Sequence, residues 1–230
     1  MIVYGRNVCE ELLKNKLKIN KIFLQDNYDD KKIISLIEKN NLGYKYLSKQ
    51  KMDSLCNGVH QGIIFDVPDY NYSKLEDIIN DEIIVILDHL EDPHNFGAIV
   101  RTCEAAGIKS IIIPNDRSVS VNGTVCKTSV GTIFNTNIVK VVNLVNTIKE
   151  LKDNGYWIVG TSLDTNIDYK DIDYSGKICL VIGNEGSGIS NLVAKNCDYL
   201  TKIPMYGTTN SLNASVAAGI MIYEMIRNRK

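Results

Sequence analysis

Hydrophobic residues follow two different patterns along this chain, and the change of pattern near residue 70 predicts two folding units. In the first 68 residues, short apolar stretches alternate in type. Residues 7–14 and 31–40 have helical spacing, whereas 21–24, 44–47 and 62–67 read as extended. That alternation predicts a compact α/β unit with roughly three strands. From Glu82 onward the apolar runs at 83–87, 111–113, 156–161 and 178–183 are continuous, as expected of strands buried on both faces of a parallel sheet. Helical spacing separates them: 96–106 stops at Gly107, 144–153 stops before Gly155, and 211–228 forms a long final helix rich in Ala, Ile and Met. The pattern predicts a doubly wound α/β domain whose ligands sit beyond the carboxyl ends of its strands.

Between the two patterns lies a polar stretch with Pro68, Asp69, Asn71 and Ser73, so the predicted division is 1–68, a linker at 69–81, and 82–230. Tyr70 and Tyr72 in this stretch are suited to stacking on bases, but packing within the linker explains them more simply. The chain has 44% hydrophobic and 23% charged residues, an ordinary globular composition that excludes disorder and low complexity. No apolar run approaches the ~20 residues that span a bilayer, and residues 1–5 lack signal-peptide character, so a cytoplasmic location is expected. The six cysteines form no CxxC pair, and with His60, His89 and His94 they make no metal-like cluster. Net charge is only −1, but residues 1–60 hold 11 Lys/Arg against 7 Asp/Glu, whereas the remainder holds 15 against 20. The basic front end, with Arg6, Lys14, Lys16 and Lys18, is therefore the expected contact for a polyanion, although a solvated lysine surface has the same signature.

Three segments concentrate chemistry: 88–101, 183–188 and 203–213. In the first, Pro93 fixes the chain, Asn95 is placed to cap a helix, and Arg101 lies about one and a half turns further on. The second, Gly183-Asn184-Glu185-Gly186-Ser187-Gly188, follows a buried strand and holds one carboxylate within a glycine-rich turn. It is not a dinucleotide fingerprint, because no acid follows at about 20 residues, and residues 123–128 lack the Gly-Lys-Ser/Thr ending of a phosphate loop. In the third, Ser211 and Asn213 precede the last helix, and simple capping by Ser211 is the alternative to a functional role.

Together the segments Asn95-Phe96-Gly97-Ala98-Ile99-Val100-Arg101-Thr102, Leu180 through Gly188, and Ile203-Pro204-Met205 through Ser215 resemble the three motifs of the TrmH/SpoU family of SPOUT methyltransferases. At the front, Tyr4-Gly5-Arg6-Asn7-Val8 and Gly58-Val59-His60-Gln61-Gly62-Ile63 are similar to the accessory domain of the branch that modifies a large-subunit ribosomal RNA guanosine. Phe96 departs from the smaller aliphatic residue common in that family.

The resemblance implies a trefoil-knotted C-terminal domain that binds S-adenosylmethionine, and a small ribosomal-protein-like N-terminal domain that binds RNA. It further implies a homodimer with active sites at the interface, and 2′-O-ribose methylation of RNA, most specifically of 23S ribosomal RNA. Thr161, Gly183, Ile203 and Leu212 would hold the cofactor, and Asn95, Arg101, Glu185, Ser211 and Asn213 would form the polar site. A guanidinium with a pKa above about 12 is a poor base, so Arg101 reads better as a fixed cation beside a forming oxyanion. Methylation of transfer RNA, or RNA binding in ribosome assembly without catalysis, are the competing readings.

Overall fold

The computed structural model describes residues 1–227 and Arg229. The chain divides into two compact units, one of residues Met1–Asn71 with Ser120–Asn135, the other of Tyr72–Val119 with Thr136 onward.

The first unit begins with β1 (Ile2–Tyr4), α1 (Arg6–Lys14), β2 (Lys21–Gln25), α2 (Lys31–Lys39), β3 (Lys45–Leu47), α3 (Lys49–Leu55) and β4 (Ile63–Asp66). Its sheet has four strands in the order β1-β4-β2-β3, with β4 antiparallel to both neighbours and β3 parallel to β2. This is one strand more than the apolar pattern predicts, because β1 is too short to show periodicity. The apolar pattern also does not predict α3, which buries only Met52, so no apolar stripe marks it. Asp30 caps α2 by accepting from the amides of Lys32 and Ile33.

The second unit begins with a parallel bridge from Ser73 to Val139, so part of the expected linker is ordered against the sheet. Then come β5 (Ile83–Leu87), α4 (Pro93–Ala105) and β6 (Ser110–Pro114). Residues 120–135, which include α5 (Gly123–Thr128) and a 3-10 turn at Thr132–Asn135, belong to the first unit. The second unit resumes with β7 (Asn137–Val141), α6 (Leu144–Asp153), β8 (Tyr156–Thr161), β9 (Lys177–Ile182), α7 (Asn191–Ala194), β10 (Tyr199–Thr201) and α8 (Ala214–Arg227).

All neighbouring strands of this sheet are parallel, in the order β10-β8-β9-β5-β6-β7. The expectation of a parallel α/β domain with a small α/β unit before it is met. Every residue of β5 and β6 is buried, which is why their apolar runs do not alternate. One core joins Ile84, Ile86, Ile112, Ile158 and Val181 to Leu144, Ile148 and Leu151 of α6, and α8 packs on α4. No helix among the described residues is long and apolar enough to cross a membrane.

Two helix starts differ from the sequence reading. The helix α4 begins at Pro93 with Asp92 as its cap, accepting from His94 N at 2.9 Å, so Asn95 lies inside the first turn and its side chain is released from capping. The helix α8 begins at Ala214, and its cap is Asn213 rather than Ser211: Asn213 Oδ1 accepts from Ser215 N at 2.9 Å and from Val216 N at 3.4 Å. The predicted extension of that helix to Asn228 lies outside the described residues. Ile112 is fully buried in the middle of β6. Ile112→Ala is expected to lower unfolding free energy by about 2–5 kcal/mol in denaturant titration, the range for a truncated core aliphatic.

Candidate functional site

In an open parallel sheet, ligands gather where the order of strand addition reverses. Here β6 and β7 follow β5 on one side while β9 lies on the other, so the reversal falls between β5 and β9. Leu87 and Ile182 are partners at the carboxyl ends of those strands. The turns that follow are tied together by a buried carboxylate. Asp88 is 1% exposed; its Oδ2 accepts from Ser190 N at 2.7 Å, and its Oδ1 lies 2.6 Å from His89 Nδ1. His89 takes a left-handed backbone, φ 56°, and its carbonyl accepts from Asn184 Nδ2 at 2.8 Å. Asn184 Oδ1 in turn accepts from Gly186 N at 2.9 Å, closing the glycine-rich turn. A Cβ on Gly183 would overlap the Gly188 backbone, so glycine is required there by the turn's own close approach.

The turn presents Glu185 to a chain of side-chain amides. Asn95 Nδ2 donates to Glu185 Oε1 at 2.7 Å, and Asn213 Nδ2 donates to Asn95 Oδ1 at 3.0 Å. The polarity of this chain is fixed at both ends. An ionised carboxylate only accepts, so Asn95 must turn its amide nitrogen to Glu185 and its oxygen to Asn213. Asn213 must then donate, which leaves its own oxygen for the free N–H groups at the start of α8. Asn95, Glu185 and Asn213, drawn from three separated segments, thus form one hydrogen-bonded unit.

Beside this unit a cleft of about 510 Å³ opens at the ends of β8, β9 and β10, and Thr161, Gly183, Glu185, Ile203, Ser211 and Leu212 all line it. Four of these are the residues expected to hold a cofactor. Ile182, Ile189 and Leu200 add apolar wall, and Asp164 and Lys202 add charge. Arg101 is not brought into this cleft. It is exposed on α4, roughly 9 Å along the axis from Asn95 and about 120° around it from ideal helix geometry. None of the described residues pairs with it. A second cavity, of about 430 Å³, lies at the amino ends of the strands, where Arg229 is already engaged by Glu82 and by the Tyr174 carbonyl.

Sequence reasoning did not assign roles to Asp88 and Asn184. Asn184 sits inside the glycine-rich motif, and Asp88 is the first polar residue after a five-residue apolar strand. That position was the available signal. The histidines have structural partners: His60 Nε2 lies 2.9 Å from Asp53, and His89 contacts Asp88.

Residues 82–223 match the model of the SpoU rRNA Methylase family, and residues 2–73 match that of the RNA 2′-O ribose methyltransferase substrate-binding domain. A Staphylococcus saprophyticus protein carrying the name of a TrmH family tRNA/rRNA methyltransferase is 41% identical, covering 100% of this chain and 96% of the relative. The AdoMet-bound rRNA methyltransferase of Sinorhizobium meliloti is 27% identical with a TM-score of 0.81, covering 98% of this chain and 86% of that one. A TrmH/SpoU tRNA modifying enzyme of A. aeolicus is 36% identical with a TM-score of 0.60, covering 65% of this chain and 76% of that one.

The amide chain yields a test by charge. Asn95→Asp sets a second carboxylate against Glu185, which raises the folded-state pKa of the new group above its unfolded value. Its stability contribution is then present below the unfolded carboxylate range and lost as pH rises. Thermal melts should show the variant close to wild type near pH 3 and less stable by about 1 kcal/mol near pH 7, the value being small because Glu185 is exposed to solvent.

Proposed function

The chain belongs to the SpoU rRNA Methylase family, and from that premise we propose that it transfers the methyl group of S-adenosylmethionine to a guanosine ribose 2′-hydroxyl in large-subunit (23S) ribosomal RNA, in the cytoplasm. The observation that carries the reading is the Asn213–Asn95–Glu185 unit at the edge of the cleft, because it joins the three motif segments at one place. The cleft walls suit the cofactor chemically. Ile182, Ile189, Ile203 and Leu212 offer an apolar bed for an adenine ring. Asp164 and Glu185 bring negative charge to a cationic ligand, and Thr161 and Gly183 present strand-end peptide groups. When bound, the cofactor supplies an electrophilic methyl group on a sulfonium.

The chain's own residues orient the acceptor and balance charge. Glu185, held by Asn95, is an organising carboxylate rather than a proton acceptor. Ser211 and Asn213 stand at the start of α8, where backbone N–H groups favour partial negative charge. Arg101 is a permanent cation that grips a neighbouring phosphate and favours the forming 2′-oxyanion. Positioning alone is worth roughly 7–11 kcal/mol in well-oriented reactions, so no strong base is required. Because Arg101 stands outside its own cleft, the reading includes a homodimer in which each Arg101 serves the partner's site. It also includes a trefoil knot in the second unit, which the family likeness implies.

Ribosomal RNA is supported by the likeness to the S. meliloti rRNA methyltransferase, which covers nearly the whole chain at 27% identity. Transfer RNA is favoured by the 36% identity to the A. aeolicus enzyme, which extends over 65% of the chain. A non-catalytic assembly role would leave the intact amide–carboxylate unit without a purpose.

Incubation with labelled S-adenosylmethionine and undermodified ribosomal and transfer RNAs, followed by mapping of alkali-resistant linkages, separates these readings. Resistance at a guanosine of large-subunit RNA is expected; label in transfer RNA alone would remove the ribosomal assignment. Arg101→Ala should slow methyl transfer by about 10²–10³ while calorimetric cofactor affinity stays unchanged. Mixing Arg101→Ala chains with Glu185→Ala chains tests the shared site. Random pairing should restore about a quarter of wild-type activity, since one site in each mixed dimer keeps both residues, whereas sites contained in one chain would restore none.

A further inference from the structure

Residues 120–135 fall within the methylase family match yet belong to the first compact unit, and the contacts they make there are built in at the level of individual glycines. A Cβ on Gly123 would stand 2.5 Å from the Ile2 carbonyl oxygen, and one on Gly131, at φ 87°, would stand 2.9 Å from Glu11 Cβ. Glu11 also accepts from Asn135 Nδ2 at 3.3 Å, and Asn135 Oδ1 accepts from Asn15 Nδ2 at 3.2 Å. These approaches bring α5 against β1 and α1 and deliver one side chain, Lys127, to the two front motifs. Its ammonium donates to the Val59 carbonyl and lies 5.3 Å from the centre of the Tyr4 ring. A Cβ on Gly5, at φ 99°, would meet Lys127 Nζ at 2.8 Å, so the glycine of the first motif leaves room for this cation. A Cβ on Gly58 would similarly meet Tyr4 Oη at 2.6 Å. The motifs also bind each other, through Arg6 N donating to Gln61 Oε1 at 3.0 Å.

No carboxylate of the described residues pairs with Lys127; its partners are a carbonyl and a ring face. Partial burial pulls its ammonium below the usual lysine range, a cost that an anionic oxygen would offset. Val59, whose carbonyl holds it, is 74% exposed, so Lys127, itself half-buried, is engaged at the surface of the unit. We propose that Lys127 is a phosphate-contacting residue of an RNA-binding surface built jointly from residues 4–6, residues 58–61 and α5, so that the substrate-reading unit includes a segment from the middle of the methylase sequence. The proposal rests on RNA being the substrate.

The test uses the full chain with Lys127→Met, which keeps the stem and removes the charge, Lys127→Gln as a second neutral variant, and Lys127→Arg. Binding to an unmodified large-subunit RNA transcript is titrated across potassium chloride concentrations. Loss of one phosphate contact should lower the slope of log affinity against log salt by about 0.7–0.9 in both neutral variants. Lys127→Arg should keep the wild-type slope, and cofactor affinity by calorimetry should be unchanged in all three. An unchanged slope in either neutral variant that melts like wild type overturns the proposal. A wild-type protein that methylates neither RNA class sinks the enzymatic reading instead, whatever the slopes.

Discussion

The insertion of β9 between β5 and β8 is the constraint from which the site follows. Two parallel strands that end side by side at a reversal of order leave their following peptides without a sheet partner, and those peptides must be satisfied by something else. Asp88 does this from the β5 side. Burying a carboxylate is costly unless it is fully bonded, and here the cost is offset by the Ser190 amide and the His89 ring. The result is a seam between two segments 102 residues apart in sequence. The Glu185 turn hangs from that seam through Asn184.

Directionality is the second property of the site. A row of amides can be oriented either way in isolation, but here the ionised Glu185 fixes one end and the free N–H groups of α8 fix the other. Each asparagine amide is thereby held in one orientation of its oxygen and nitrogen. This explains why Asn95 lies inside the first turn of α4 while the neighbouring Asp92 does the capping. If Asn95 were the cap, its oxygen would be spent on backbone amides and the link to Asn213 would be lost.

In the first unit glycines do the corresponding work. Gly5, Gly58, Gly123 and Gly131 stand where a methyl group would collide with Lys127, Tyr4, Ile2 or Glu11. Two of the four belong to residues 120–135, so the compact unit and the linear family match divide the chain differently. The basic excess of the front end is therefore joined by a cation that is not counted among its own residues.

The parallel sheet, its buried strands and the motif segments were legible in the sequence, because burial on both faces and glycine-rich turns are local properties that composition records directly. The short β1 and the exposed α3 were not, since neither carries an apolar period. Of the site, the sequence determined which residue types were present: Asn95, Glu185, Ser211 and Asn213 for a polar site, Thr161, Gly183, Ile203 and Leu212 for a cleft. Only the tertiary structure decided that Asp92 and Asn213 cap the helices, that Asp88 and Asn184 hold the turn, that Arg101 does not line the cleft, and that α5 packs within the first unit. Those outcomes depend on which hydrogen-bond partner lies within reach, and a linear chain does not state distances between residues far apart along it.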